Sequence, residues 1–170
     1  MRKFIALSAM FLATTFAANA QDAKKEPPKS PRVTAKSDIA EISYGQPSKR
    51  GRVIFGELVP YGQVWRTGAN MSTDLTVHED VLFGGKELKK GTYAIFTVPG
   101  PETWTIIVNS KPGQRGASEY EANKDKNVIE VTAPVTKSTS VEEKFTISFE
   151  PGNLVFSWDD VVVKVPFAKK

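Results

Sequence analysis

The chain has 170 residues, with 23 lysines and arginines, 19 aspartates and glutamates, one histidine and no cysteine. Without cysteine there are no disulfides, no thiolate catalysis and no cysteine zinc sites, and one histidine cannot build a histidine-rich metal site. The sequence also lacks a Walker-type phosphate loop and a dinucleotide-binding glycine motif. We therefore predict no cofactor and no metal.

The first 20 residues follow the pattern of a secretory signal peptide. Arg2 and Lys3 precede an apolar run over residues 4–18, and small residues flank Asn19 before the predicted cleavage after Ala20. The run is too short and too interrupted to span a membrane. Cleavage leaves 21 basic against 19 acidic residues, a balance that does not favour nucleic acid. We expect a periplasmic or secreted protein with no integral membrane segment after cleavage.

Residues 21–37 are mostly Lys, Pro, Ser and Ala. Such a composition buries too little apolar surface to offset chain entropy, so it predicts a disordered leader.

Over residues 38–170, short segments with a period of two alternate with turn residues about every ten positions. In one of them, Leu75 and Val77 oppose the polar face that carries His78, which we expect at the surface. The pattern predicts one all-β domain, an antiparallel, jelly-roll-like β-sandwich of about eight or nine strands. Residues 117–125 favour one or two helical turns.

The segment "GRVIFGELVPYGQVWRTGAN", residues 51–70, breaks this alternation and holds the candidate ligand-binding residues. Tyr61 and Trp65 offer flat apolar faces on which a sugar can stack, and Arg52, Arg66 and Asn70 offer forked hydrogen bonds to hydroxyls or a carboxylate. Gly68 permits close backbone approach or positive φ. These residues fit a small molecule or a glycan of the cell envelope as the partner.

Three other interpretations stay open. The segment also suits a purely structural role, with a buried tryptophan and an arginine bonded to loop carbonyls closing one end of the sandwich. A carbohydrate-active hydrolase or isomerase would need two facing carboxylates drawn from Glu57, Asp74 or Glu79. A structural or assembly module of the envelope would use a sheet edge for pairing. Catalytic residues and oligomeric state are not determined by the sequence.

The same segment, together with "GTYAIFTVPGPETWTIIVN" (91–109) and the strand that contains Trp158, closely resembles the secreted bacterial family called domain of unknown function 2911. The resemblance extends from about Ser30 to Phe167. It implies a β-sandwich module of exported proteins and no established activity. Met71 stands where the family pattern leads us to expect Glu or a similar polar residue. The matching motif residues are Gly51, Arg52, Phe55, Gly56, Pro60, Tyr61, Gly62, Trp65, Arg66, Gly68, Ala69, Asn70, Gly91, Thr92, Tyr93 and Trp104.

Overall fold

A computed structural model describes residues 30–170. The predicted signal peptide and the first part of the predicted leader lie outside the described residues. Within residues 30–170, no helix is both long enough and apolar enough to cross a bilayer. The described part of the chain forms nine strands and two short helical segments. The strands are β1 (Arg32–Lys36), β2 (Ala40–Gly45), β3 (Thr73–Val77), β4 (Val81–Phe83), β5 (Lys86–Leu88), β6 (Gly91–Pro99), β7 (Thr103–Asn109), β8 (Asn127–Glu150) and β9 (Asn153–Lys169).

The predicted all-β, antiparallel, single-domain fold is confirmed. Every ladder is antiparallel, and the nine strands form one sheet in the order β1-β2-β3-β6-β7-β8-β9-β4-β5. The predicted helical turns are also present, as helix α1 (Ala117–Tyr120) and the 3-10 helix Glu121–Lys126. His78 is exposed, and Leu75 and Val77 are buried, as the alternation predicts.

The leader prediction was wrong at its C-terminal end, because residues 32–36 form β1. This strand pairs with β2 in register, from Arg32 opposite Gly45 to Lys36 opposite Glu41. Val33 and Ala35 point inward and pack against the core, whereas the alternate residues are exposed. Two small apolar residues at a spacing of two are too weak a signal to stand out from the polar composition around them. Pairing with a neighbouring strand supplies the stabilisation instead.

The long strands β8 and β9 each join two segments that the sequence divides with turn residues. Pro134 lies inside β8 at the point where the strand changes partner: β8 pairs with β7 up to this residue and with β9 from Val135 onward. A proline is tolerated there because its missing N–H falls where one ladder ends and the next begins. Register shifts beyond Lys137 bend the β8–β9 hairpin. The sheet therefore folds over on itself, and most of its buried apolar side chains meet in one core.

The far half of β8 meets the segment that follows β2 and so closes the fold. The Phe145 amide donates to the Pro47 carbonyl at 2.9 Å, and the Lys49 amide donates to the Glu143 carbonyl at 2.7 Å. Inside the closure, the Tyr44 hydroxyl accepts a hydrogen bond from the Ile147 amide at 3.0 Å. Burial raises the pKa of Tyr44 and outweighs this hydrogen bond, which acts in the opposite direction. The loop that leaves β2 is therefore held against the far half of β8.

Candidate functional site

Residues 46–72 connect β2 to β3, and this loop (the 46–72 loop) contains the segment that sequence analysis identified. Connections of this length without regular structure are uncommon in compact domains and are usually functional or disordered. Here the loop is anchored to the sheet. Trp65 and Thr97 of β6 exchange two backbone hydrogen bonds, at 2.7 and 2.9 Å, and the Ala69 amide donates to the Gly45 carbonyl at 3.1 Å. The backbone of the loop is therefore positioned by β2, β6 and β8 together.

The loop encloses a cavity of about 390 Å³, which we call the arginine cavity. Ligand pockets in proteins have volumes of about 300–1,000 Å³, so the cavity has room for a small molecule. Most of its lining comes from the 46–72 loop, and Trp158 of β9 contributes from the other side. The lining residues are Ser30, Pro47, Ser48, Arg50, Arg52, Leu58, Val59, Trp65, Arg66, Gly68, Ala69, Asn70 and Trp158.

The tryptophans of the lining belong mainly to the core. Trp65 is only 9% exposed and stacks on Trp158 with ring centroids 6.0 Å apart. The edges of Phe145 and Trp104 pack against Trp65 at 4.9 and 6.0 Å, and its indole N–H donates to the Gly68 carbonyl at 3.1 Å. Such packing leaves little of the ring for a sugar to stack on. The structural role proposed for this tryptophan therefore agrees with its packing, even though a cavity adjoins it.

Arg52 is held in place by the backbone of its own turn. Its Nε donates to the Lys49 carbonyl at 3.0 Å and its Nη2 donates to the Ser48 carbonyl at 2.6 Å. A guanidinium carries five N–H donors, so these two bonds orient the group and leave donors for another partner. Arg50, two residues earlier, also lines the cavity, and its backbone amide donates to the Glu143 carboxylate at 2.8 Å.

Arg66 differs from Arg52 because its guanidinium is not satisfied. Its Nε is buried and has no hydrogen-bond partner. None of the ion pairs within residues 30–170 involves Arg66. The side chain runs beside Gly116, where an added Cβ would lie 3.2 Å from the Arg66 Cδ. A buried donor without a partner costs roughly 1–3 kcal/mol, so a group that satisfied Arg66 would bind favourably.

The backbone around the cavity is strained. Four residues other than glycine have positive φ within residues 30–170: Arg50 at 50°, Thr67 at 57°, Asn70 at 66° and Asp159 at 57°. Arg50 and Asn70 line the cavity, Thr67 lies between two lining residues, and Asp159 follows the lining residue Trp158. Asn and Asp tolerate this region, but a β-branched threonine there is an outlier. Strain of this kind persists where the surroundings enforce it and is frequent at ligand sites.

The strained backbone is held by buried polar contacts. The Thr67 hydroxyl lies 3.1 Å from the Thr97 hydroxyl, and the Thr67 carbonyl accepts a hydrogen bond from the Thr73 hydroxyl at 2.6 Å. Gly68, at φ 152°, leaves no room for a side chain, because an added Cβ would lie 2.8 Å from the Gly45 carbonyl oxygen. Both properties expected of this glycine, close approach and positive φ, are present.

The charge of the cavity lining is entirely basic. Arg50, Arg52 and Arg66 are its charged members, and among the described residues no aspartate or glutamate lines it. Just outside the lining, Lys49 pairs with Asp159 at 2.5 Å, so that lysine is already neutralised.

The carboxylates that a hydrolase would need lie elsewhere. Asp74 pairs with Arg32 at 3.5 Å, Glu79 pairs with Lys169 at 2.5 Å, and Glu57 is exposed. The three acids do not line the arginine cavity, so the structure does not bring two of them to face each other there.

Of the five residues predicted to bind a ligand, Arg52, Trp65, Arg66 and Asn70 line the cavity. Tyr61 does not line it. This residue is 43% exposed, and its ring covers Gly56, where an added Cβ would lie 3.1 Å from the ring. Ligand binding by these residues stays a prediction.

Sequence reasoning missed Arg50 and assigned no role to Trp158. Arg50 lies one position before residues 51–70, the segment that holds the predicted ligand-binding residues. It belongs to the basic run Lys49-Arg50-Gly51-Arg52, and this run could have indicated that Arg50 belongs to the site. Trp158 is more than 80 residues away in sequence, and only the folding of β9 over the loop brings it to the cavity.

Comparison with known proteins gives a single result. No curated protein and no solved structure matches the chain significantly. One family, described as "Protein of unknown function (DUF2911)", matches residues 26–167. That range includes β1 to β8, all of β9 except its last two residues, and the whole 46–72 loop, and it agrees with the resemblance carried by the loop motif. The chain therefore belongs to the DUF2911 family.

Proposed function

We propose that this protein binds a small molecule, or a short piece of envelope glycan, in the arginine cavity. The observation that carries the proposal is the coincidence of three features at one place. The 46–72 loop borders a cavity of ligand size, holds an arginine with an unsatisfied buried donor, and contains three of the four positive-φ residues other than glycine within residues 30–170; the fourth, Asp159, follows the lining residue Trp158. A loop that served only to close the sandwich would gain stability from simpler residues without strain.

Binding without catalysis is the form of the proposal that the lining supports. General acid–base chemistry uses His, Asp, Glu, Lys, Tyr or Cys side chains within hydrogen-bond reach of the reacting group. Among the described residues, the lining contributes none of these types. Arginine stays protonated and serves mainly to hold and orient a ligand. We therefore do not propose the hydrolase or isomerase alternative.

A thermal-shift screen tests the proposal. The panel should include neutral sugars, amino sugars, amino acids and organic acids, each at several millimolar concentration. A ligand present at 100 times its Kd stabilises the folded state by about 2.7 kcal/mol, which raises Tm by roughly 5 to 10 °C in a domain of this size. A true ligand should lose most of this shift with Arg52→Ala. If no member of the panel shifts Tm, the cavity is not a binding site for these classes and the structural role stands.

We also propose that the protein is exported, on the strength of the signal-peptide pattern in residues 1–20. Expression of the full chain followed by cell fractionation and N-terminal sequencing tests this. The expected product starts at Gln21 and is found outside the cytoplasm. Recovery of the intact chain from the cytoplasm would contradict the proposal.

A further inference from the structure

We infer that the ligand of the arginine cavity is a small organic anion that carries an apolar portion, such as a medium-chain carboxylate or an alkyl phosphate. This inference rests on the proposed function and narrows it to one chemical class. Two properties of the described residues carry it: the basic lining with its unsatisfied donor, and the apolar side chains that line the same cavity.

An anionic group is required by the charge of the cavity. Three arginines line it without an acidic residue in the described lining, and the buried Nε of Arg66 has no partner. Arg52 is already oriented by two backbone carbonyls, so its remaining donors are positioned in advance of binding. Guanidinium groups recognise carboxylates and phosphates through paired N–H donors, and these charge-assisted bonds are about twice as strong as neutral ones. A neutral sugar would offer the Arg66 guanidinium no charged partner.

An apolar portion is favoured by the apolar part of the lining. Leu58 lines the cavity and is 44% exposed, and Pro47, Val59 and Ala69 add apolar surface to the same lining. Solvated apolar side chains around a polar cavity are typical of a ligand site. A hydrocarbon chain leaving the anionic group would cover them.

Charge and chain length are tested separately with matched probes. Isothermal titration of the purified protein would compare hexanoate with hexanamide, which has the same shape and no charge, and with acetate, which has the charge and almost no chain. We expect hexanoate to bind at least about tenfold more tightly than hexanamide, since the charged hydrogen bonds are lost in the amide. Each methylene buried between acetate and hexanoate should improve affinity by about three- to fourfold. Hexyl phosphate should behave as hexanoate does.

Variants locate the anion at Arg66. Arg66→Met should weaken hexanoate binding by about 10- to 100-fold and leave hexanamide unchanged, and Arg66→Lys should restore part of the loss. Lys90→Gln is the matched control because it removes the same charge from an exposed position at the other end of β6 from Thr97, the partner of Trp65. It should change hexanoate affinity less than twofold.

Phosphatidylglycerol vesicles distinguish the two sources of such an anion. Co-sedimentation with vesicles that hexanoate competes away identifies a lipid; binding of the free acid alone identifies a soluble metabolite. The inference is overturned if hexanamide binds as tightly as hexanoate, or if Arg66→Met leaves hexanoate binding unchanged. If a neutral sugar binds in an Arg52-dependent manner and no anion does, the proposed function stands and this inference fails. If nothing in either experiment binds, both fail.

Discussion

Replacing Arg66 with methionine should make the protein more stable, although most substitutions have the opposite effect. The reason is the state of Arg66 in the unliganded protein. Its Nε is buried without a hydrogen-bond partner, and no carboxylate pairs with it within residues 30–170. Methionine has a similar length, fills the same space beside Gly116 and has no donor to satisfy. Exchanging an uncompensated charge for a well-packed apolar group is often stabilising.

The expected gain follows from the cost of that donor. A buried unsatisfied N–H costs about 1–3 kcal/mol, and we take the lower end because part of Arg66 is in contact with solvent. The free energy of unfolding should therefore rise by about 1 kcal/mol, which corresponds to roughly 4 °C in Tm. Arg52→Met serves as the matched comparison. It breaks two hydrogen bonds to backbone carbonyls, so we expect a loss of about 1 kcal/mol.

Urea unfolding followed by far-ultraviolet circular dichroism measures both variants. This signal avoids the fluorescence of Trp65, whose environment the substitutions could change. The opposite signs of the two effects make the test sharp. A lower stability for Arg66→Met, equal to that of Arg52→Met, would refute the reasoning, because it would mean that Arg66 is satisfied in solution. A gain in stability combined with lost hexanoate binding would show stability given up for a ligand site.

Gly116→Ala should destabilise the fold more than Gly113→Ala. Both glycines have positive φ, 67° for Gly116 and 73° for Gly113, and this conformation costs an L-residue about 1–2 kcal/mol. Only at Gly116 would the new Cβ also contact another side chain, the Cδ of Arg66 at 3.2 Å. Urea midpoints that fall equally for the two variants would mean that Arg66 moves aside freely. In the acid range, a backbone hydrogen bond from Lys90 and a side-chain hydrogen bond from Lys89 hold the pKa of Asp80 below its usual value. Because the folded pKa is the lower one, ionised Asp80 stabilises the fold above the unfolded pKa of about 3.9, and this contribution is lost as the pH falls through the folded pKa. Thermal unfolding between pH 2 and 6 should therefore show a weaker pH dependence for Lys89→Met than for the wild type, and identical profiles would contradict this assignment.

Local sequence patterns account for much of the sheet. The alternation around Leu75 and Val77 predicts which face of β3 is buried, because successive side chains of a strand point to opposite sides. The turn residues Gly100 and Pro101 locate the β6–β7 hairpin, because the preference of these residues for turns is also a local property. The pattern fails where a strand depends on its neighbours. β1 has only Val33 and Ala35 to pack inward, and β8 continues through Pro134 because its partner changes there.

For the candidate site too, the sequence predicts the features that depend on neighbouring residues and misses those that depend on the fold. The unusual composition of residues 51–70 identified the loop, since the concentration of Arg, Trp, Asn and Gly is a property of the local sequence. Residue types alone could not show which of them share a cavity, because the direction of each side chain depends on how the loop is anchored to β6 and β8. The sequence therefore predicts Tyr61 as a ligand residue, although it covers Gly56 at the surface, and it does not predict Arg50, which lines the cavity.

By itself, the sequence determined that this protein is an antiparallel β domain of the DUF2911 family with one unusual loop, since period, turn residues and motif are all readable from neighbours along the chain. Tertiary structure decided the rest. Folding the β8–β9 hairpin over the loop brings Trp158 against Trp65. The Nε of Arg66, whose side chain runs beside Gly116, is left buried without a partner. The sequence does not show which distant residues come into contact, nor which polar atoms lose their contact with water. The contact of Trp158 with Trp65 and the burial of the Arg66 Nε are the two properties that make the loop a candidate anion site.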